Sequence, residues 1–357
     1  MRHFLSGIFA GALIAVASPA VAANTSATPK TTTDEGPASY TSWETRIAAR
    51  LDSGAPADMD QLERWCAELI RDKTRDLDGR WTIDAYHNGF DTYVWRTQGE
   101  ATQTAFDRVT LWKTRHPDSA CAPIVEADFN FALALRELYS GYMSHEDMKH
   151  ARNTLAEAER LLDAAQALAV VNPEWYAQKI HLAQQRNGAP HESMRYFAEG
   201  LKRHPDYFAS AFSMVLHFLP RNGGDWDDVE NFATLAAQAS QATQKQSLYA
   251  RVYWYVSQVE GNPGKMFRST KVQWRKMRAG FDELMEMWPK SGWNLNNYAA
   301  FACRAEDAET YGRLRRSIGE QNYFPQAWGA QANIPACDQR LLNPNAAQSS
   351  ERQPVSQ

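Results

Sequence analysis

The residues best equipped for chemistry in this 357-residue chain stand in short clusters. His145-Glu146-Asp147-Met148-Lys149-His150 has the residue types of a zinc protease, whose two histidines stand four apart on one helical face. Here they stand five apart, about 140° around a helix, so they cannot share a metal. The segment reads instead as a capped, solvated helix start. Glu192-Ser193, at the beginning of a later helix, resembles the catalytic glutamate of soluble lytic transglycosylases. A general acid of that kind needs an enclosing pocket that raises its pKa. No Gly-Leu-Met-Gln-like segment follows it, and helix starts favour acids for dipole reasons alone. Glu192 therefore carries only the alternative reading, a peptidoglycan-active enzyme.

Other motifs say less. Gly261-Asn262-Pro263-Gly264-Lys265 lacks the spacing and the preceding strand of a phosphate loop and reads as a turn. No Gly-x-Ser-x-Gly elbow is present for an acyl-transfer serine. Lys271, Arg275 and Arg278 fall on one helical face, while Trp274, Met277, Phe281 and Leu284 fall on another and read as core. The basic stripe is a solvated face or a contact for an acidic protein partner. A net charge of −4 gives no footprint for nucleic acid. No cofactor is implied.

The elements that must position these residues are set by the ends of the chain. Residues 1–22 read as a cleavable secretory signal: Arg2 and His3, an apolar run from Phe4 to Val16, then Ala20-Val21-Ala22 before Ala23. The run is shorter than the roughly 20 residues of a membrane span, and no later stretch is long enough. The expected compartment is the periplasm. Residues 23–40 and the tail 341–357 are polar and expected to be disordered, leaving 41–340 as one folded domain. Four cysteines in an oxidising compartment suggest disulfides, and three pairings are open. Cys66–Cys121 with Cys303–Cys337 is the economical choice for a chain that keeps sequence neighbours together. Each closure contributes about 4 kcal/mol in the chain-entropy model. No pair has CxxC spacing, so a zinc site is not expected.

Helical periodicity dominates the folded part, as in Ala151, Leu155, Ala158, Leu162 and Ala165. The exception is Arg80–Trp95, where Asn88-Gly89 separates two aromatic-rich runs and predicts a small hairpin or an ordered loop. An internal repeat follows. Pro173-Glu174-Trp175-Tyr176-Ala177 returns 32 residues later as Pro205-Asp206-Tyr207-Phe208-Ala209. Arg186-Asn187-Gly188 and Phe197-Ala198 return after 35 residues, so the second unit holds three extra residues in its first helix or turn. Such a period predicts an all-α, tetratricopeptide-like solenoid of stacked antiparallel helix pairs. Gly200 and Ser193 stand where such repeats prefer alanine.

Several stretches in order resemble a bacterial family known as domain of unknown function 4034, over about Trp43 to Gly329. They are Asp78-Gly79-Arg80-Trp81, His116-Pro117-Asp118-Ser119, Phe218-Leu219-Pro220-Arg221 with Gly223-Gly224, and Leu248-Tyr249-Ala250-Arg251. Trp274 to Phe281, Asn297 to Cys303 and Trp328-Gly329 complete the set. In the family pattern a tryptophan usually follows the Pro-Arg pair; here it is Asn222. The resemblance implies a helical, repeat-like fold and brings no activity.

In solenoids of this type the first helix of each pair lines the concave groove, which points to 174–186 and 206–218. The candidate binding residues are Trp175, Tyr176, Gln178, Tyr207 and Phe208, with Arg221, Tyr249 and Arg251 from the family-like stretches and Lys271, Arg275 and Arg278 from the basic stripe. Twelve tryptophans and fourteen tyrosines fit both core and binding surface. The expected function is a non-catalytic protein or peptide binder of the cell envelope, in its sharper form an immunity protein that neutralises an envelope-acting toxin.

Overall fold

The computed structural model describes residues 30–139, 144–186, 190–261, 263–319, 322–329 and 333–342. The signal segment, residues 23–29 of the 23–40 stretch, the Asn187-Gly188 turn, Asn262 and the tail beyond 342 lie outside the described residues. The described chain is all-α, with no strand beyond two isolated bridges at Arg75. Among the described residues no helix is long and apolar enough to cross a membrane.

The helices begin with α1 (Pro37–Ser53), α2 (Pro56–Asp72), α3 (Thr82–Arg96), α4 (Glu100–Arg115), α5 (Ala122–Leu138) and α6 (His145–Ala164), with α4 packed on α2 and α6 on α5. After the short α7 (Gln166–Ala169) come α8 (Glu174–Gln185) with α9 (Pro190–Arg203) and α10 (Ala209–Val215) with α11 (Trp226–Ala239). The series ends with α12 (Ser247–Val259), the short α13 (Met266–Ser269), α14 (Trp274–Met287), α15 (Gly292–Arg304), α16 (Ala308–Ile318), α17 (Pro325–Trp328) and α18 (Ile334–Leu341). First helices pack on first helices along the chain: α1 on α3, α3 on α5, α5 on α8, α8 on α10, α10 on α12. One helix pair cannot cover its own apolar face, so each pair is buried by its neighbours. The three extra residues of the second repeat fall after α10, where two 3-10 turns, Leu216–Phe218 and Pro220–Asn222, precede the capping box of Asp225 and Asp228.

Disulfides join Cys66 to Cys121 and Cys303 to Cys337. The first ties α2 to the start of α5. The second ties α15 to α18.

Two expectations are corrected. Residues 82–96 are a helix, neither hairpin nor loop: Tyr86, Phe90, Tyr93 and Val94 recur at helical spacing and are buried. Gly89 is not a turn glycine. A Cβ there would meet Ile47 Cδ1 at 2.8 Å and the Trp43 carbonyl at 3.2 Å, so glycine lets α3 cross close over α1. The ordered loop lies earlier, from Lys73 to Trp81. The 23–40 stretch is also not disordered throughout. From Lys30 onward it is bonded to that loop, with Arg75 N donating to Lys30 O and Leu77 N to Asp34 O, both at 2.8 Å, and α1 begins at Pro37.

This amino-terminal strap reaches the far end of the stack. Glu35 Oε2 accepts hydrogen bonds from Ser291 Oγ (2.6 Å) and Trp293 N (3.0 Å) at the start of α15. The 73–81 loop fills the space between. Arg251 on α12 and Asn294 on α15 both donate to the Asp78 carbonyl, at 2.6 and 3.1 Å. Gly79, at φ +90°, lies directly beneath the Trp288 indole, where any side chain would collide.

Candidate functional site

The stack is curled, and every first helix sends side chains into one cleft of about 690 Å³. The helical period decides which. α3 contributes Asp84, His87, Asp91 and Trp95; α8 contributes Glu174, Ala177, Gln178 and His181; α12 contributes Arg251, Trp254, Tyr255 and Gln258. Each set recurs at three and four residues, one stripe per helix. Phe131 on α5, Phe208 and Phe212 at α10, Tyr40 on α1 and Trp293 on α15 complete an aromatic wall. Phe212 stacks on Tyr255 with centroids 4.7 Å apart, and the Arg251 guanidinium lies 4.2 Å over Phe208.

The floor is polar and buried. Burial pushes the Glu174 carboxyl up to about 8, with Asp84 and Asp128 adding to it, although His87 and the Tyr207 hydrogen bond pull the other way. Tyr207 Oη donates to Glu174 Oε2, and Gln178 Nε2 donates to Oε1 at 3.1 Å. Burial likewise raises Asp84, against the pull of Arg80 and of the Tyr40 hydroxyl, which donates at 2.8 Å. Asp91 is held well above the ordinary carboxylate range by burial, then by Asp128 and Asp84. His87 is driven down to about 4 by burial and stays neutral at pH 7. Its Nε2 lies 2.9 Å from Asn172 Nδ2, and its Nδ1 lies 3.4 Å from an oxygen of Asp128, itself raised by burial. His181, stacked on Phe131, is also brought down to about 4 by burial.

At the inner end of the cleft charges are compensated. Burial works against the Asp78 carboxylate, but Arg80, Arg251 and the backbone N–H groups of Arg80 and Gly36 outweigh it and keep its pKa low. Among the described residues no group of three histidine, cysteine, aspartate or glutamate side chains is placed to hold a metal ion.

Of the residues singled out from sequence, Gln178, Phe208 and Arg251 line this cleft. Trp175 and Tyr176 do not. They are core, the Trp175 indole donating to Leu162 O at 3.0 Å and the Tyr176 hydroxyl to Glu199. Tyr207 is buried behind the cleft as the partner of Glu174 and packs edge-on against Trp81. Tyr249 is buried elsewhere, its hydroxyl on Glu230 at 2.7 Å. Arg221 is exposed and caps α12, donating to Val259 O at 3.0 Å.

The basic stripe is not one face either. Lys271 precedes α14 and pairs with Asp227 at 3.2 Å, Arg278 pairs with Asp307 at 3.3 Å, and Arg275 is exposed. Glu192 lies outside the cleft, its side chain 31% exposed and 3.5 Å from Arg186. Neighbouring Ser193 is buried, its Oγ 2.8 Å from His217 Nε2. The histidine segment starts a capped helix, Ser144 and Asp147 exchanging hydrogen bonds, with His150 on Glu137 at 2.9 Å.

The acids Asp84, Asp91, Asp128 and Glu174 were missed in the sequence. Their one signal was Asp84-His87-Asp91 at steps of three and four within a helix whose other faces are aromatic. Compared with known proteins, the chain matches no family model, no curated protein and no solved structure.

Proposed function

We propose that this chain is an exported, non-catalytic binding protein that takes a segment of a peptide or protein partner into the inner cleft. The observation that carries the reading is the convergence of all the first helices on one aromatic-walled cleft. Its volume falls in the range of sites that enclose a small ligand. A protein partner would thus be engaged through an inserted loop, side chain or terminus. Two disulfides and the leader-like start of the chain support residence in the periplasm. In the sharper form the partner is a toxin acting in the envelope and this chain its immunity protein. The likeness to domain of unknown function 4034 is part of the same proposal and adds only the helical repeat.

The test is affinity capture from periplasmic extract, with wild type beside the Phe208→Ala/Phe212→Ala double variant. A partner that forms a stoichiometric complex with wild type and not with the variant is the expected result. Equal recovery by both, or capture of sugar strands alone, would overturn the reading.

A catalytic alternative rests on Glu174 rather than Glu192. Glu174 is a buried, cleft-lining carboxyl at about 8, protonated at neutral pH as a general acid must be. Digestion of purified sacculi that is lost in Glu174→Gln would establish it, and inert sacculi would remove it.

A further inference from the structure

The inner cleft gathers more carboxyl groups than its own cations pair with, and burial raises each unpaired one, so that a cation entering from outside would displace a proton. Arg80 is engaged by Asp78 at 2.8 Å, and Arg251 by the Asp78 carbonyl. His87 and His181 are kept neutral by burial. Asp91 and Glu174 have no ion-pair partner among the described residues, and Asp84 has its hydrogen bond from Tyr40, itself neutral. Asp128 stands behind them on α5, adding to the field at Asp91. Buried carboxyls without a cation cost stability and return none to the fold.

A second observation points the same way. Gln178 is 5% exposed and lines the cleft, yet its Oε1 accepts no hydrogen bond. An unsatisfied buried acceptor in a wall of acids is a place for a donor. The geometry along α3 is suited to a cation on an apolar stem. Trp95 stands one turn beyond Asp91 and is 44% exposed, and Phe131 faces the same space from α5. Rings beside a carboxylate hold ammonium and guanidinium groups by charge and by the negative faces of their π-systems.

We propose that the cleft recognises its occupant by a positive charge, an alkylammonium or guanidinium group seated against Asp91 between Trp95 and Phe131. This deepens the binding reading above and rests on it. The same chemistry is offered by a lysyl or arginyl side chain of a peptide and by a free polyamine, and the experiment separates the two.

Isothermal titration calorimetry on the purified full chain would use three probes: a blocked Ala-Lys-Ala-Ala peptide, its norleucine counterpart, and spermidine. Each would be titrated into wild type and Asp91→Asn. The lysyl peptide is expected to bind at least about tenfold more tightly than the norleucine peptide. That preference should collapse in Asp91→Asn. Binding of spermidine alone would keep the recognition of charge, assign it to a polyamine and overturn the peptide reading. Equal affinity for the lysyl and norleucine peptides would overturn this inference and leave the binding reading standing. No binding by any probe would also overturn it, while partner capture decides the binding reading separately. Thermal melting of Asp91→Asn guards against loss of fold. A Tm at or above wild type is expected, and a fall of more than about 5 °C would make Asp91 a structural residue and end the proposal.

Discussion

In the loop from Lys73 to Trp81, Asp76 and Asp78 are buried against Arg80, with Arg251 reaching in from α12. Thr82 donates to Asp76 at 2.8 Å, and Gly36 N and Arg80 N donate to Asp78 at 3.1 and 3.0 Å. On the adjoining face of α3, Asp84 and Asp91 share the cleft with Glu174 and receive far less. In the first region Asp78 is held by a cation and by amides, while burial raises its neighbour Asp76 to about 6 and leaves one Asp76 oxygen without a hydrogen bond. The other is left open toward a space that a ligand can enter. The first is organised around the Asp78–Arg80 pair and has the pattern of a structural network; the second gathers carboxyls that burial raises and no cation partners, which is the pattern of a site.

The contrast is broken most severely from the structural side. Asp78→Ala removes the carboxylate paired with buried Arg80 and the acceptor of the Gly36 and Arg80 amides, while Arg251 keeps its bond to the carbonyl of residue 78, and it should lower the unfolding free energy by about 3 kcal/mol. Urea denaturation measures this, and a loss below about 1 kcal/mol would erase the distinction between the regions.

A middle-sized effect is expected from Glu174. Its folded pKa of about 8 lies above the ordinary value of 4.5, so the folded state holds the proton more tightly than the unfolded state. The stability this gives is complete below pH 4.5 and is lost as pH rises toward 8. Glu174→Gln should flatten that decline by about 1 kcal/mol per pH unit. Denaturation midpoints at several pH values would show it, and parallel curves would refute it.

The smallest effect sharpens the comparison from the outer surface. Lys271→Ala and Arg275→Ala should each change stability by less than about 0.5 kcal/mol, since exposed cations contribute little. A larger loss in denaturant at physiological salt would give the outer basic edge a role that its geometry does not.

Much of the architecture could be read from residues. The prolines at 173 and 205 and the echo of Arg186-Asn187-Gly188 at 221–223 located two helix pairs, and the cysteine spacing located both disulfides. The Asn88-Gly89 step misled because the same dipeptide serves a turn and a close helix crossing; only Ile47, from another helix, decides between them. The strap from Lys30 misled because its polar composition is satisfied by a loop more than forty residues away.

The site was legible only in part. An inner helix of a curled stack is buried on nearly every face, so periodicity cannot separate core from cleft. Trp175 and Gln178 stand three residues apart on one helix, one packed in the core and the other lining the cleft. The acids escaped because a single carboxylate on a helix looks like a solvated face. Only their convergence from α3, α5 and α8 makes them a cluster.

The clasp of Glu35 on the start of α15 also bears on the order of folding. Glu35 and Ser291 are 256 residues apart in sequence. Contacts of such separation are slow to form from a disordered chain, because the intervening loop must be gathered first. Stacking each helix pair on the one before it removes that burden step by step, until the two ends are presented to each other as neighbours. The clasp is therefore expected to close late, once α15 is in place, and a chain ending before α15 should lack it and leave the cleft without Trp293 in its wall.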